Sequence, residues 1–265
     1  MGAGHPRRED RTAGLSLPHR FDAGVGNGTI GLLRVDGASM PTPSKIRVWD
    51  LPTRIFHWLL VACVVGAFVT IKVGGLWTEY HMLFGYAVLG LILFRIVWGF
   101  VGSSHARFFR FVRGPGAILA YLKGTMPRTP GHNPLGALSV LAMILLLGCQ
   151  AVTGLFANDD IFTEGPLASR VGKELSDRLT GLHKLDEWPI LILLGLHVAA
   201  IIWYRLAKKQ KLTSAMVTGD APASEFGPET DSARDTAGTR LLALVIAAIV
   251  AAVVYGIVSL RPAGF

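Results

Sequence analysis

The stretch "GLHKLDEWPILILLGLHVAAIIWYRLAKK", residues 181–209, decides how the chain is read. From Leu185 to Leu206 it is apolar almost throughout and long enough to cross a bilayer, which takes about 20 residues. Yet His183 stands at its start and His197 well inside it. Ionisable side chains within a span are costly and are functional candidates for that reason. The two are fourteen residues apart, about 40° short of four full helical turns. Both imidazoles therefore project from one face, about 21 Å apart along the axis.

The rest of the chain supplies the setting. Its 265 residues are 51% hydrophobic and 17% charged, with a mean hydropathy of +0.45. That is too apolar for an ordinary soluble domain and indicates a membrane protein. Four further stretches are long and apolar enough to span: Leu51–Thr70 with Pro52 in its first turn, His81–Val101, Leu135–Phe156, and "LLALVIAAIVAAVVYGIVSL" at 241–260. The expected fold is an all-α membrane protein, a four-helix transmembrane bundle plus a fifth, C-terminal transmembrane helix. Residues 1–45, Gly-rich and charged without a secretory signal, are expected to be a disordered tail, and Met40 is an alternative start. The bundle is assigned to 46–210, a polar linker to 211–239 and the additional helix to 240–265. The connection after the third span, polar and mixed in charge, has room for a short surface helix.

The net charge is +8. In a soluble chain this would suggest nucleic acid; here no nucleic-acid partner is expected, because basic residues in a membrane chain concentrate in cytoplasmic loops. Twenty of the 26 Lys and Arg residues fall on one side of the alternating spans. The expected placement is multi-pass in a bacterial cytoplasmic (inner) membrane, N-terminus inside and C-terminus outside. The basic loop "SSHARFFRFVRGPGAILAYLKG" (103–124) suits the surface of anionic lipid or the docking of a partner. Trp58, Trp98, Trp188 and Trp203 near span ends read as an interfacial belt. Cys63 and Cys149 form no CxxC or CxxCH motif and read as inert thiols, which argues against c-type haem attachment and a Cys-ligated iron–sulfur cluster.

Four of the eight histidines lie at or inside spans. The alternation of directions puts His57 near the cytoplasmic end of the first span and His81 near the outer end of the second. His183 is then level with His81, and His197 with His57. Two imidazoles at one level, from two helices, meet the need of a six-coordinate b-type haem for one nitrogen on each face of the iron. Zinc suits the pattern less, since it wants four ligands converging on one point. The bland alternative is four unrelated interface histidines.

Arg95 follows His81 by fourteen residues and so shares its face at the inner level, where it could pair with a haem propionate. Arg54, one turn before His57, is a second candidate. Both also fit snorkelling to the phosphate layer. Gly85, one turn after His81, and Gly90 suit the approach of a flat macrocycle, and equally suit close helix packing. Thr153 and Gln150 read as polar packing contacts.

The segments "PTRIFHW" (52–58), "YHMLFGYAVLGLILFRIVWG" (80–99), "GHNPLGAL" (131–138) and "LHKLDEW…GLHVAA" (182–200) resemble the bacterial cytochrome b561 and Ni,Fe-hydrogenase-type cytochrome b family. The resemblance spans residues 46–210. It implies a four-helix bundle with two b-type haems, one held by His57 and His197 and the other by His81 and His183. It also implies electron transfer between a redox partner, such as a hydrogenase or cytochrome c, and the quinone pool of a respiratory chain. A quinone-linked superoxide oxidoreductase is one alternative function. A haem-free transporter or scaffold subunit is another, although the broken helices or inverted repeat of many transporters are absent. The fifth span could pack on the bundle or on a second copy, which would make a homodimer.

Overall fold

The computed structural model describes Met1 and residues 44–161, 163–228 and 230–261. The expectations for the tail, including the start at Met40, fall on residues outside the described ones, except at Lys45, which opens a strand and does not belong to a disordered tail. A short strand, β1 (Lys45–Arg47), leads into α1 (Leu51–Val73) and α2 (Thr78–Val101). Two short helices follow, α3 (Phe108–Phe111) and α4 (Pro115–Leu122), then α5 (Pro134–Gly154) and α6 (Lys173–Leu206). The chain ends with α7 (Leu212–Thr218), β2 (Asp220–Pro222) and α8 (Ala237–Val258).

The long helices start where the sequence offers a cap. The Asp50 carboxylate accepts from the Thr53 amide at 2.6 Å ahead of Pro52, and Asn133 accepts from the Gly136 amide at 2.8 Å ahead of Pro134. α1, α2, α5, α6 and α8 are long and apolar enough to cross a membrane. Their large outward side chains, among them Leu185, Trp188, Ile192 and Leu196 of α6, are exposed. Such apolar faces need lipid around them, and the chain is a multi-pass membrane protein.

α2 is the hub: it packs against α1, α5 and α8, while α6 packs chiefly on α5. Its buried residues are Val88, Leu89, Ile92, Phe94, Arg95, Trp98 and Gly99. Gly90 turns toward α8, where an added Cβ would stand 3.7 Å from Val254. Gly90 therefore serves packing on the last helix. An apolar cavity of about 840 Å³ lies between α1, α2 and α8, and none of the four span histidines lines it.

Three expectations change. α6 starts twelve residues before Leu185, so the helix foreseen in the connection is continuous with the span. At 34 residues it is about 51 Å long, well beyond a hydrocarbon core of about 30 Å. Trp98 is no belt residue: it is fully buried and donates from Nε1 to Asp50 at 3.3 Å.

The third concerns residues 211–239, expected as a solvated linker. They fold back on the residues before α1, with β2 pairing antiparallel to β1 in the register Ile46↔Ala221. Arg47 bonds Asp220 at 2.6 Å and Asp235 at 2.7 Å. Ile46, Val48, Trp49, Ala215 and Ala221 form a small buried cluster beneath them. Gly219 closes α7 at φ +90°, where a Cβ would come within 2.8 Å of the Trp49 carbonyl oxygen. The composition is polar, but a few apolar residues at the right places suffice to anchor it. This cap lies where α1 starts, below called the basic end because most of the described Lys and Arg residues belong to the segments at that end.

Candidate functional site

The fold brings the four span histidines together two by two. At the far end, His81 of α2 and His183 of α6 have ring centroids 6.0 Å apart and planes at 80°. His81 Nδ1 lies 2.9 Å from the Ala67 carbonyl of α1, and His183 Nδ1 lies 2.9 Å from the Gln150 carbonyl of α5. An Nδ1–H that donates to a backbone carbonyl fixes the ring and its tautomer, and leaves Nε2 with a lone pair for a metal. Gln150 Nε2 sits 3.3 Å from His183 Nε2, which marks where that lone pair points. Thr153 Oγ1 is 3.4 Å from His183 Nδ1.

Gly154 completes this wall. A Cβ there would lie 3.0 Å from His183 Cε1, so a glycine admits the ring against α5. Gln150 and Thr153, read from sequence as packing contacts, are thus neighbours of a site histidine. The signal for them was two polar residues three apart near the end of a largely apolar helix.

At the basic end, His57 of α1 and His197 of α6 are close enough to interact electrostatically. His57 Nδ1 is buried without a hydrogen-bond partner among the described residues. Around them is a buried polar group that the sequence only partly announced. Arg95 is 2% exposed, and neither Nη atom has a partner among the described residues. Its guanidinium lies over Phe108, 4.8 Å from the ring centroid, and 6.0 Å from Phe111. Asp50, fully buried, is occupied by the Thr53 amide and Trp98 Nε1.

His132 joins this group from the loop before α5. Its ring packs between Trp49 and Phe111, each 4.8 Å away by centroid. Burial, then the fields of Arg95, His197 and His57, push its pKa down to about 3, so it is neutral at physiological pH. Nothing in the sequence marked it beyond its place in "GHNP". His105 Nδ1 contacts the Val48 carbonyl at 3.1 Å, and burial holds its pKa below the ordinary value.

The two other candidates differ. Arg54 Nη1 donates to the Val217 carbonyl at 2.7 Å, so this guanidinium ties α1 to α7 where a free one was expected. At Gly85 an added Cβ would meet nothing within 4 Å, so open space lies beside it.

The donor set fits haem better than a bare ion. Among the described residues no group of three or more His, Cys, Asp or Glu is placed to hold a metal ion. One pair of imidazoles turns Nδ1 to backbone carbonyls and the other lies beside an unneutralised guanidinium, a chemistry that fits haem with its nitrogen ligands and anionic substituents.

Residues 48–219 match the family model described as prokaryotic cytochrome b561. Three relatives are named "Probable Ni/Fe-hydrogenase B-type cytochrome subunit". The one from Rhodobacter capsulatus is 23% identical over 226 residues, 70% of this chain and 85% of the relative. That from Azotobacter vinelandii is 25% identical over 220 residues (66% and 88%), and that from Rhizobium leguminosarum bv. viciae 24% over 217 (66% and 88%). No solved structure matches the chain.

Proposed function

The chain belongs to the prokaryotic cytochrome b561 family, and from that premise we propose that it is a di-haem cytochrome linking a redox partner to the quinone pool of a respiratory chain. At the coarser level it is a membrane b-type cytochrome of electron transfer, which sets aside the haem-free transporter or scaffold. The observation that carries the finer reading is the far-end pair. His81 and His183 meet at 6.0 Å, each with Nδ1 at a backbone carbonyl, so that Nε2 carries the lone pair an iron would take, the one on His183 facing the Gln150 amide.

In this reading His81 and His183 hold one haem, and His57 and His197 the other. Haem, when bound, supplies a one-electron carrier whose potential depends on its axial ligands and surroundings. The chain's own part is to fix the imidazoles and to hold the two sites at different depths along one helix. Arg95 neutralises an anionic group beside His57 and His197. Gly85 leaves room on the face of α2 that bears His81. Residues 46–210 form the electron-transfer core and α8, beyond the matched residues, an addition to it. The favoured partner is a hydrogenase, on the strength of the relatives' names. The favoured orientation has the basic end at the cytoplasmic face of the inner membrane.

Reduced-minus-oxidised spectra and a haem assay on the purified protein test this. The expected result is b-type bands with about two haems per chain, each with two nitrogen ligands. One haem or none ends the di-haem reading. Quinol oxidation by membranes containing the protein, dependent on the same histidines, tests the link to the quinone pool.

A further inference from the structure

Arg95 is a buried cation that the described residues do not neutralise. Both Nη atoms are buried and unbonded, and the carboxylate whose field reaches it, Asp50, is used by the Thr53 amide and Trp98. Such a charge is costly unless an anion completes it. His132 stands in the same surroundings with a second unmet polar atom, its buried Nδ1. Phe111 lies by both: its ring packs against His132 at 4.8 Å with the planes tilted by 52°, and it is 6.0 Å from the Arg95 guanidinium.

The position of His132 is fixed by its neighbours. Trp49 and Phe111 flank its ring. The next residue, Asn133, caps α5 through Gly136 and donates from Nδ2 to the Tyr204 hydroxyl near the end of α6, at 2.8 Å in each case. The loop bearing His132 is therefore locked to two of the spans, one of which carries His197.

We infer that Arg95 and His132 form a two-point clamp for a carboxylate of the group held by His57 and His197. This rests on a haem at that pair. Arg95 supplies charge and two N–H donors, Phe108 stacks beneath it, and His132 adds a neutral N–H donor set by two aromatic rings. A clamped carboxylate exerts less of its negative charge on the iron, so the clamp raises the reduction potential of that haem alone.

The test is a potentiometric titration of the full-length protein in detergent at pH 8, with electron paramagnetic resonance of the oxidised form. His132→Leu should keep both haems and both low-spin signals. It should lower one midpoint by roughly a tenfold change in the reduction equilibrium, about 59 mV for one electron. His132→Gln, which keeps an N–H donor, should shift it less, and Arg95→Gln should lower the same component. His57→Ala identifies that component, because the one it removes is the one His132→Leu moves.

The clamp is wrong if His132→Leu leaves both midpoints in place, moves both equally or moves the other one. It is also wrong if a low-spin signal gives way to a high-spin one, since His132 would then be an axial ligand. Should His132→Leu not accumulate, wild-type protein loaded with haem dimethyl ester, which has no carboxylate, decides instead. Selective loss of the His57 component supports the clamp, and equal retention of both components overturns it. The underlying reading fails separately, if His57→Ala and His197→Ala both leave two components intact.

Discussion

The two ends of the molecule hold their histidines by different means. At the far end the helices do the work alone: α1 and α5 offer the carbonyls of Ala67 and Gln150, and Gly154 makes room for His183. At the basic end no backbone carbonyl meets His57 Nδ1 among the described residues. The surroundings there come from segments outside the spans, namely Trp49 and Asp50 before α1, Phe108 and Phe111 after α2, and His132 before α5. A site held by helix backbones resists single side-chain changes. A site held by buried polar side chains from loops is exposed to them, and its electrostatics can be set residue by residue.

Substitutions at five positions break or sharpen this contrast. The largest effect belongs to the histidines themselves. His183→Ala and His197→Ala should each take haem content from about two per chain to about one, with the surviving spectral component differing between the two variants. The same component surviving in both would end the pairing.

Asp50→Ala comes next, because it removes the α1 cap and leaves Trp98 Nε1 buried without a partner. Thermal loss of the folded protein should show a destabilisation of about 2–4 kcal/mol, with a shift confined to the basic-end component. Asp50→Asn keeps an acceptor for the Thr53 amide but sets an N–H donor against Trp98 Nε1, so it should recover only the share that belongs to the cap. Gly154→Ala carries the contrast to the far end. Its Cβ would press on His183 Cε1 at 3.0 Å and should cost about 1–3 kcal/mol, perturbing the far-end low-spin signal and leaving the other unchanged. A uniform perturbation of both signals would show that the two ends are not independent.

Lys72→Ala should do least. Its bond to Glu187, at 2.6 Å, joins α1 to α6 near the far-end pair, but the lysine is largely exposed. An exposed ion pair contributes less than about 1 kcal/mol, so stability and both midpoints should stay within that margin.

Much of this molecule was legible before any coordinate. Hydropathy and length mark the five spans, because the bilayer requires about 20 apolar residues whatever the fold. The direction of each span follows from alternation, and helix pitch then sets the level and face of His57, His81, His183 and His197. His81 and His183 meet at one end and His57 lies within electrostatic reach of His197, while the haem each pair would hold stays a proposal. The segments at 52–58, 80–99, 131–138 and 182–200 were enough for the family resemblance, and the family match covers 48–219.

Other features depended on contacts between residues far apart in the chain. That Trp98 is buried against Asp50, that Arg54 Nη1 bonds the Val217 carbonyl, that His132 lies beside Arg95 and His57, and that 220–222 pairs with 45–47 have no local periodicity to announce them. The physical reason is the same in each case. A span is specified residue by residue through transfer into lipid, which sequence alone records. A buried polar group is specified by the partner that satisfies it, and only the tertiary structure decides which partner arrives.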